Sequence, residues 1–374
     1  MKILHVMRRE KFTAPVVGLY NKYFSNGEHE ILYLNECGKN SLIYSEFGIG
    51  QREVFLPGNL FADMKILKVA FHEKQYDWIV LHSLLMPNSV KAFLYTDRRI
   101  LKKVVWIEWG ADLYTWCSQK KTVKGLLRNH VEYALRTKLH TTVCIFPPDC
   151  EVYREYFPKS KAEVFYAPYC GIGNALTYDQ YKYTSRLDRE FVPDDPVLIQ
   201  VGHSATPAID HKATLKQLSR FANQNIKILL PLSYGNDDYA DSVQAYAEEL
   251  FADKVICLRQ MMPLEEYKAL IDKVDIAIFD TYRQIALGNI RPMIFHNTKV
   301  FLPENSVMYK YFKSGGVPLS KTEDLNDISF NEFIKSALPE DNDKFQTFLK
   351  NNFSEVNSVG FWLTIYDKLR KETM

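Results

Sequence analysis

Three short stretches gather residue types that can do chemistry. The string Trp106-Ile107-Glu108-Trp109-Gly110-Ala111-Asp112-Leu113-Tyr114 closes an apolar run. It predicts a strand that turns through Gly110 into a helix opening near Asp112. A carboxylate there can accept a proton from an attacking hydroxyl or anchor a bound substrate. An aspartate at a helix start equally serves as an N-cap. His82 ends the run that begins at Trp78, and its imidazole can exchange protons near neutral pH or orient a substrate. A strand-end histidine can also be no more than hydrogen-bonded. His5 and Arg8, at the first run, are candidates of the same kind. Gly202-His203-Ser204 follows another apolar run, Val197 to Val201. Glycine lets a phosphate or a sugar approach the backbone, and the two side chains add hydrogen bonds; the alternative is a tight turn capped by Ser204 or Thr206.

The elements that must carry these residues alternate. In the first half, strand-like runs at Ile3 to Val6, Glu30 to Leu34, Trp78 to His82, Val104 to Trp109, Thr142 to Phe146 and Val164 to Ala167 are separated by amphipathic segments. That alternation predicts a parallel sheet with crossover helices. Residues 171–195 break it with glycine, tyrosine, charge and a Pro-Asp-Asp-Pro turn. A second alternation starts at Val197, with strands expected at Ile226 to Leu232, Val255 to Leu258, Asp275 to Phe279 and Val300 to Pro303. Helices are expected at about 207–223, 238–252, 263–273, 284–296 and 304–313. The expected fold is α/β, with two Rossmann-like, doubly wound domains facing a cleft. The domains are placed at 1–175 and 196–355, with a linker at 176–195. The segment 356–374 is read as an amphipathic helix able to pack back on the first domain.

The stretch from Val255 to Pro303 resembles the nucleotide half of GT-B glycosyltransferases. The resemblance implies that the loop at Arg259 faces a base and that a helix near Gln284 turns its amino end to a diphosphate. Many such enzymes carry glutamates eight positions apart here; this chain has Asp280 and Gly288, so ribose recognition is assigned to Glu304 or Gln284. The Trp106 to Tyr114 string extends the likeness. So do Val201-Gly202-His203-Ser204, Pro231-Leu232-Ser233-Tyr234-Gly235, Tyr282-Arg283-Gln284 with Gly288, and Glu304-Asn305. In order over residues 78–312, these motifs resemble the Fuc4NAc (4-acetamido-4,6-dideoxygalactose) transferase family, glycosyltransferase family 56. The resemblance implies transfer of an amino- or deoxysugar from a dTDP-linked donor to a lipid diphosphate-linked saccharide in surface polysaccharide biosynthesis. It implies no metal and no cofactor. Donor contacts fall to Gly202, His203, Ser204, Tyr234, Arg259, Tyr282, Arg283, Gln284, Gly288, Glu304 and Asn305, with Arg283 as the cation for the leaving diphosphate. Acceptor contacts fall to Arg8, Trp109, Gly110 and Tyr114, and catalysis to Asp112 and His82. The alternative is a sugar-nucleotide 2-epimerase of the same double-Rossmann plan.

Charge adds a partner class. Residues 1–170 hold 24 Lys plus Arg against 17 Asp plus Glu, a balance of +7 in a chain whose net charge is +2. A basic first half suits a phosphate-rich partner, here an anionic membrane surface presenting a diphosphate-linked lipid. The segment with Lys120-Lys121, Lys124, Arg128, Arg136 and Lys138, interleaved with Leu126, Leu127, Val131, Tyr133 and Leu135, is the candidate membrane-facing helix, the alternative being a solvated charged face. Nucleic acid is not expected, because no aromatic-interleaved basic strip or known motif accompanies the charge. A dinucleotide-binding dehydrogenase is excluded, since His5-Val6-Met7-Arg8 stands where G-x-G-x-x-G belongs. Six scattered cysteines without a C-x-x-C pair, and no apolar run near the ~20 residues of a membrane span, lead to the expectation of a cytoplasmic protein peripheral to the inner face of a bacterial plasma membrane.

Overall fold

The computed structural model describes residues 1–9, 13–24, 27–36, 50–117, 122–169, 177–179, 195–337 and 339–373. Most of the expected linker at 176–195, the Lys120-Lys121 pair, Cys37 and Cys170 lie outside them. The chain divides into two compact units, Met1–Ile172 with Val356–Met374, and Gly173–Glu355.

The first unit holds seven strands: β1 (Ile3–Met7), β2 (His29–Glu36), β3 (Gly50–Leu56), β4 (Trp78–His82), β5 (Val104–Glu108), β6 (Thr141–Cys144) and β7 (Glu163–Tyr166). All pair in parallel in the order β3-β2-β1-β4-β5-β6-β7. Strands β1, β4 and β5 are buried along their whole length, which is why they read as continuous apolar runs. The edge strand β3 is different. Its Gln51, Arg52 and Glu53 face outwards in part, and sequence patterning gave it no signal because charge protects a sheet edge from further pairing.

One face of this sheet carries the helix Thr13–Tyr23 and the last helix, Glu355–Thr373. Val359, Trp362, Ile365, Tyr366 and Leu369 of that last helix are buried against the sheet. Each such apolar side chain contributes about 1.5–3 kcal/mol. The Trp362 indole donates to the Pro168 carbonyl at 3.0 Å, and the Trp78 indole donates back to Leu369 at 3.1 Å. The opposite face is covered by Leu60–His72, Asn88–Thr96 and Val123–Lys138.

The second unit holds β8 (Val197–Val201), β9 (Ile226–Pro231), β10 (Val255–Leu258), β11 (Ile276–Ile278), β12 (Lys299–Leu302) and β13 (Leu319–Lys321). They form a parallel sheet in the order β10-β9-β8-β11-β12-β13. Three expected helix starts move, and the one placed from residue 304 begins at Val307, because the Ser306 side chain caps it by accepting from the Tyr309 amide. The helix placed from residue 207 begins at His211, because Asp210 is the residue whose side chain caps it by accepting from the Ala213 amide. The helix placed from residue 284 begins at Leu287, since Ala286 takes a left-handed φ of 59° just before it.

In both sheets the strand order reverses beside the first strand, between β1 and β4 and between β8 and β11. Open parallel sheets bind ligands outside the strand carboxyl ends at such a reversal. The site residues must be sought there, one set in each unit.

Candidate functional site

In the first unit, the loops after β1, β4 and β5 surround the reversal. Asp112 organises them. It is wholly buried, and its carboxylate accepts three hydrogen bonds: from the Leu84 amide at 2.8 Å, the Trp106 indole at 2.9 Å and the Trp109 amide at 2.9 Å. The residue capping the short helix Ala111–Tyr114 is Gly110, at φ 80°. Asp112 is therefore neither the N-cap nor a carboxylate open to a substrate hydroxyl. This corrects the expectation of a proton acceptor: its oxygens tie the end of β4 to the turn after β5. The Arg136 guanidinium holds the Asp112 carbonyl at 2.7 Å and is itself paired with Glu132 at 2.5 Å, so Arg136 belongs to the core and not to a basic outer face.

Two acidic residues missed in the sequence lie beside Asp112. Glu108 accepts from the Gly110 amide at 2.7 Å, and Asp149 accepts from the Tyr114 hydroxyl at 2.6 Å. Burial pushes the Glu108 carboxyl well up, with the Asp149 and Asp112 charges adding to it. Burial likewise raises Asp149 to about 7. Burial thus disfavours the charged form of both carboxyls. Tyr114 is committed to this pair. Gly110 supplies the turn, and Trp109 is half-buried with its ring stacked on Tyr169 at 5.6 Å. Arg8, after β1, reaches the Leu85 carbonyl at 3.5 Å.

His82 ends β4 at the reversal. Its Nε2 meets His5 Nδ1 at 3.0 Å, and its buried Nδ1 has no hydrogen-bond partner. Burial lowers it to about 3. The next residue, Ser83, takes a left-handed φ of 84° and is held by its amide bond to the Ile107 carbonyl at 2.9 Å. Such strain survives only where surrounding contacts fix it, and the Asp112–Leu84 bond is one of them.

In the second unit, Gly202 leaves β8 with φ 69°, and its amide donates to the Ile278 carbonyl at 2.9 Å, closing the reversal. A Cβ there would lie 2.2 Å from His211 Nε2. Glycine is required on both counts. Tyr234 and Gly235 sit alongside. Ala205 donates to the Tyr234 carbonyl and accepts from the Asn236 amide, both at 2.8 Å, and a Cβ at Gly235 would lie 2.3 Å from the Ala205 carbonyl oxygen. His203 meets the Tyr234 ring edge-on at 6.1 Å, and its Nε2 is 3.5 Å from Ser204 Oγ. Burial raises Tyr234 to about 12 against the opposing Ser204 hydrogen bond. Gly202, His203, Ser204 and Tyr234 therefore lie beside one another.

The loop from Tyr282 to Ala286 then leads into the helix Leu287–Phe295. No side chain caps this helix, and the space in front of Gly288 is open. Uncapped amides at a helix amino end attract anions. Tyr282 is 66% exposed, Arg283 half-buried and Gln284 buried. Tyr267, unnoticed in the sequence, donates to Asn289 at 2.8 Å in the first turns of this helix. Arg259, after β10, pairs with Asp241 at 2.6 Å. Glu304, after β12, is exposed and pairs with Lys321 at 2.6 Å, with Asn305 exposed beside it. Asp280, after β11, rises to about 6 through burial and the Asp210 and Glu323 charges. Among the described residues, no three His, Cys, Asp or Glu side chains could together hold a metal ion.

A family model described as 4-alpha-L-fucosyltransferase, glycosyl transferase group 56, matches residues 37–358. The chain belongs to glycosyltransferase family 56. The family 56 chain is similar in structure to sucrose-phosphate synthase from Thermosynechococcus elongatus, with a TM-score of 0.69, 12% identity and all of both chains covered. It also resembles the UDP-forming α,α-trehalose-phosphate synthase from Burkholderia vietnamiensis, with a TM-score of 0.66 and 10% identity over 99% of this chain and 100% of that one. The Anabaena protein HepE in complex with UDP and glucose matches with a TM-score of 0.61 and 12% identity, over 99% of this chain and all of the other. At these identities the likeness speaks for the fold, which is GT-B. The protein is a glycosyltransferase, and the epimerase alternative is not favoured. No helix among the described residues is long and apolar enough to cross a membrane.

Proposed function

We propose that the protein moves an amino- or deoxysugar, of the 4-acetamido-4,6-dideoxygalactose type, from a dTDP-linked donor to a lipid diphosphate-linked saccharide during surface polysaccharide assembly. The observation that carries this reading is the uncapped helix Leu287–Phe295 with open space at Gly288, next to the Gly202 turn at the reversal of the second sheet. The helix end neutralises a diphosphate as it leaves, and Arg283 adds a positive charge from the preceding loop. No metal or cofactor is needed for that role. Tyr234, beside the Gly202 turn, and Gln284, in the loop before the helix, are further donor contacts, and Arg259 and Glu304 lie on loops at the same sheet edge. In the first unit, His82 accepts the proton of the attacking hydroxyl while Asp112 fixes the loop that follows it. Oxygen bonds to the anomeric carbon as the bond from that carbon to the diphosphate oxygen breaks.

A lipid-borne acceptor calls for an apolar surface near the acceptor loops. Parallel sheets put helix amino ends at the strand carboxyl edge. There the first unit exposes Leu60, Phe61, Leu85, Val123, Leu126 and Leu127, with Lys124 and Arg128 exposed among them. Apolar side chains with cations at their rim fit the interface of an anionic bilayer, which supports peripheral attachment at the cytoplasmic face. A thermal-shift panel of dTDP, UDP and GDP tests the donor. A ligand at ~100 times its dissociation constant stabilises by about 2.7 kcal/mol. dTDP is expected to shift unfolding most; a larger shift with UDP or GDP would remove the dTDP assignment.

A further inference from the structure

Three buried histidines form an unbroken hydrogen-bonded line in the first unit. His5 Nδ1 meets His82 Nε2 at 3.0 Å, and His5 Nε2 meets His29 Nδ1 at 2.8 Å. Register places all three on one face of the sheet, because Val80 is paired with His5 two residues before His82, and Ile3 is paired with His29 two residues before His5. The line runs obliquely across β4, β1 and β2, from the last residue of β4 to the first of β2. At one end His82 Nδ1 is buried and unpartnered at the strand reversal. At the other, His29 lies beside the charges of Glu28 and Arg370. Tyr20 packs on His5 at 4.4 Å, and Tyr366 packs on His29 at 5.0 Å. Their hydroxyls bond to each other at 2.6 Å and leave the imidazole line undivided.

We propose that His82, His5 and His29 form a proton relay through the first sheet, taking the acceptor hydroxyl's proton at the carboxyl edge and releasing it to water at the amino edge. The proposal rests on the reading of His82 as the base. In the receptive state every ring carries its proton on Nε2: His82 Nε2–H donates to His5 Nδ1, His5 Nε2–H donates to His29 Nδ1, and His29 carries its own on the nitrogen away from His5. The acceptor O–H then breaks, as its oxygen bonds to the anomeric carbon and the diphosphate departs. His82 Nδ1 takes the proton, each ring hands on its Nε2 proton, and water beside Glu28 receives the last. All three rings now carry Nδ1–H. A proton entering from water at His29 Nε2, with one leaving His82 Nδ1 for water once the product has gone, restores the line.

The relay solves a problem of burial. Desolvation holds His82 at about 3 and His5 well below the ordinary value, so His82 alone is a weak base that would have to shelter a cation. Concerted transfer leaves no imidazolium inside the sheet.

The first test needs no substrate. Nitrogen-15 NMR of the whole protein reads the tautomer of each ring, and His5, His29 and His82 must all carry the proton on Nε2 or all on Nδ1. A mixed set overturns the relay. The second uses a dTDP-linked 4-acetamido-4,6-dideoxygalactose donor with a polyprenyl diphosphate-linked disaccharide. In His29→Gln the amide oxygen still accepts from His5 but passes no proton on. Its kcat is expected to fall about tenfold or more at unchanged KM. The dependence of its rate on deuterium fraction should change from curved, with several protons moving, to linear. Wild-type kcat and curvature in His29→Gln overturn the relay while leaving His82 as base, whereas full turnover by His82→Gln removes the base reading itself.

Discussion

Replacing Asp112 separates a proton acceptor from a clamp. In Asp112→Ala, two backbone amides and one indole N–H, now bonded at 2.8–2.9 Å, are left buried without an acceptor. Each such loss costs about 1–3 kcal/mol, and because the three share one site the total is expected near ~4–6 kcal/mol. In a unit of this size 1 kcal/mol moves the unfolding midpoint by roughly 2–4 °C, so the expected fall is about 10–20 °C. Asp112→Asn is the sharper probe. Its single carbonyl can keep the Leu84 and Trp106 donors, but its NH2 must then face the Trp109 amide. The cost is about 2–3 kcal/mol, or roughly 5–10 °C. A lost general base would instead cost about 10²–10⁴ in turnover with little change in stability. Calorimetry and kcat per folded molecule, measured well below the midpoint, are the assays. An Asp112→Asn protein with the wild-type midpoint and turnover down about a thousandfold would refute the clamp.

Gly202 and Gly288, both in the proposed donor site, are expected to differ in their effect on stability. Gly202→Ala sets a Cβ against His211 at a left-handed φ and should lose both stability, by about 2–4 kcal/mol, and nucleotide binding. Gly288→Ala meets no atom within 4 Å and should hold or raise the midpoint while weakening nucleotide affinity; calorimetry with a dTDP titration distinguishes the two, and unchanged affinity in Gly288→Ala would count against the diphosphate seat. Stability should peak near neutrality. The folded-state values of His29, His82 and His211 are lowered to about 4, 3 and 4, so their contribution is complete above the ordinary value of 6.5 and falls as pH drops towards those values. Asp149 is raised from 3.8 to about 7, so its contribution is complete below 3.8 and is lost as pH rises through about 7. Asp149→Asn is expected to gain on the wild type as pH rises from about 4 to about 7 in urea unfolding, and a difference independent of pH would contradict this. Leu126→Asp with Leu127→Asp should release the protein from anionic vesicles in flotation without altering dTDP binding; retained flotation would argue against that surface.

The alternating apolar runs were enough to read two parallel sheets, because strands buried on both faces must be continuously apolar and the helices between them amphipathic. The edge strand β3 escaped, since its Arg52 and Glu53 satisfy solvent as well as structure. The Gly202 turn was legible for a local reason: only glycine takes that φ against a neighbouring side chain, and the need is written in one residue.

Asp112 was legible as a residue of consequence but not as the residue it is. Its role depends on Leu84 and Trp106, and strand order brings the end of β4 beside β5 at Asp112. Glu108 and Asp149 stood in plain view 41 positions apart, each an ordinary acid until burial set them against one another. The histidine line is the extreme case. Nothing in the spacing of positions 5, 29 and 82 joins them; the order β2-β1-β4 and its register do. Sequence determines which residue types and which periodicities exist, whereas hydrogen bonding and desolvation act over a few ångströms, and only the folded chain decides which atoms come that close.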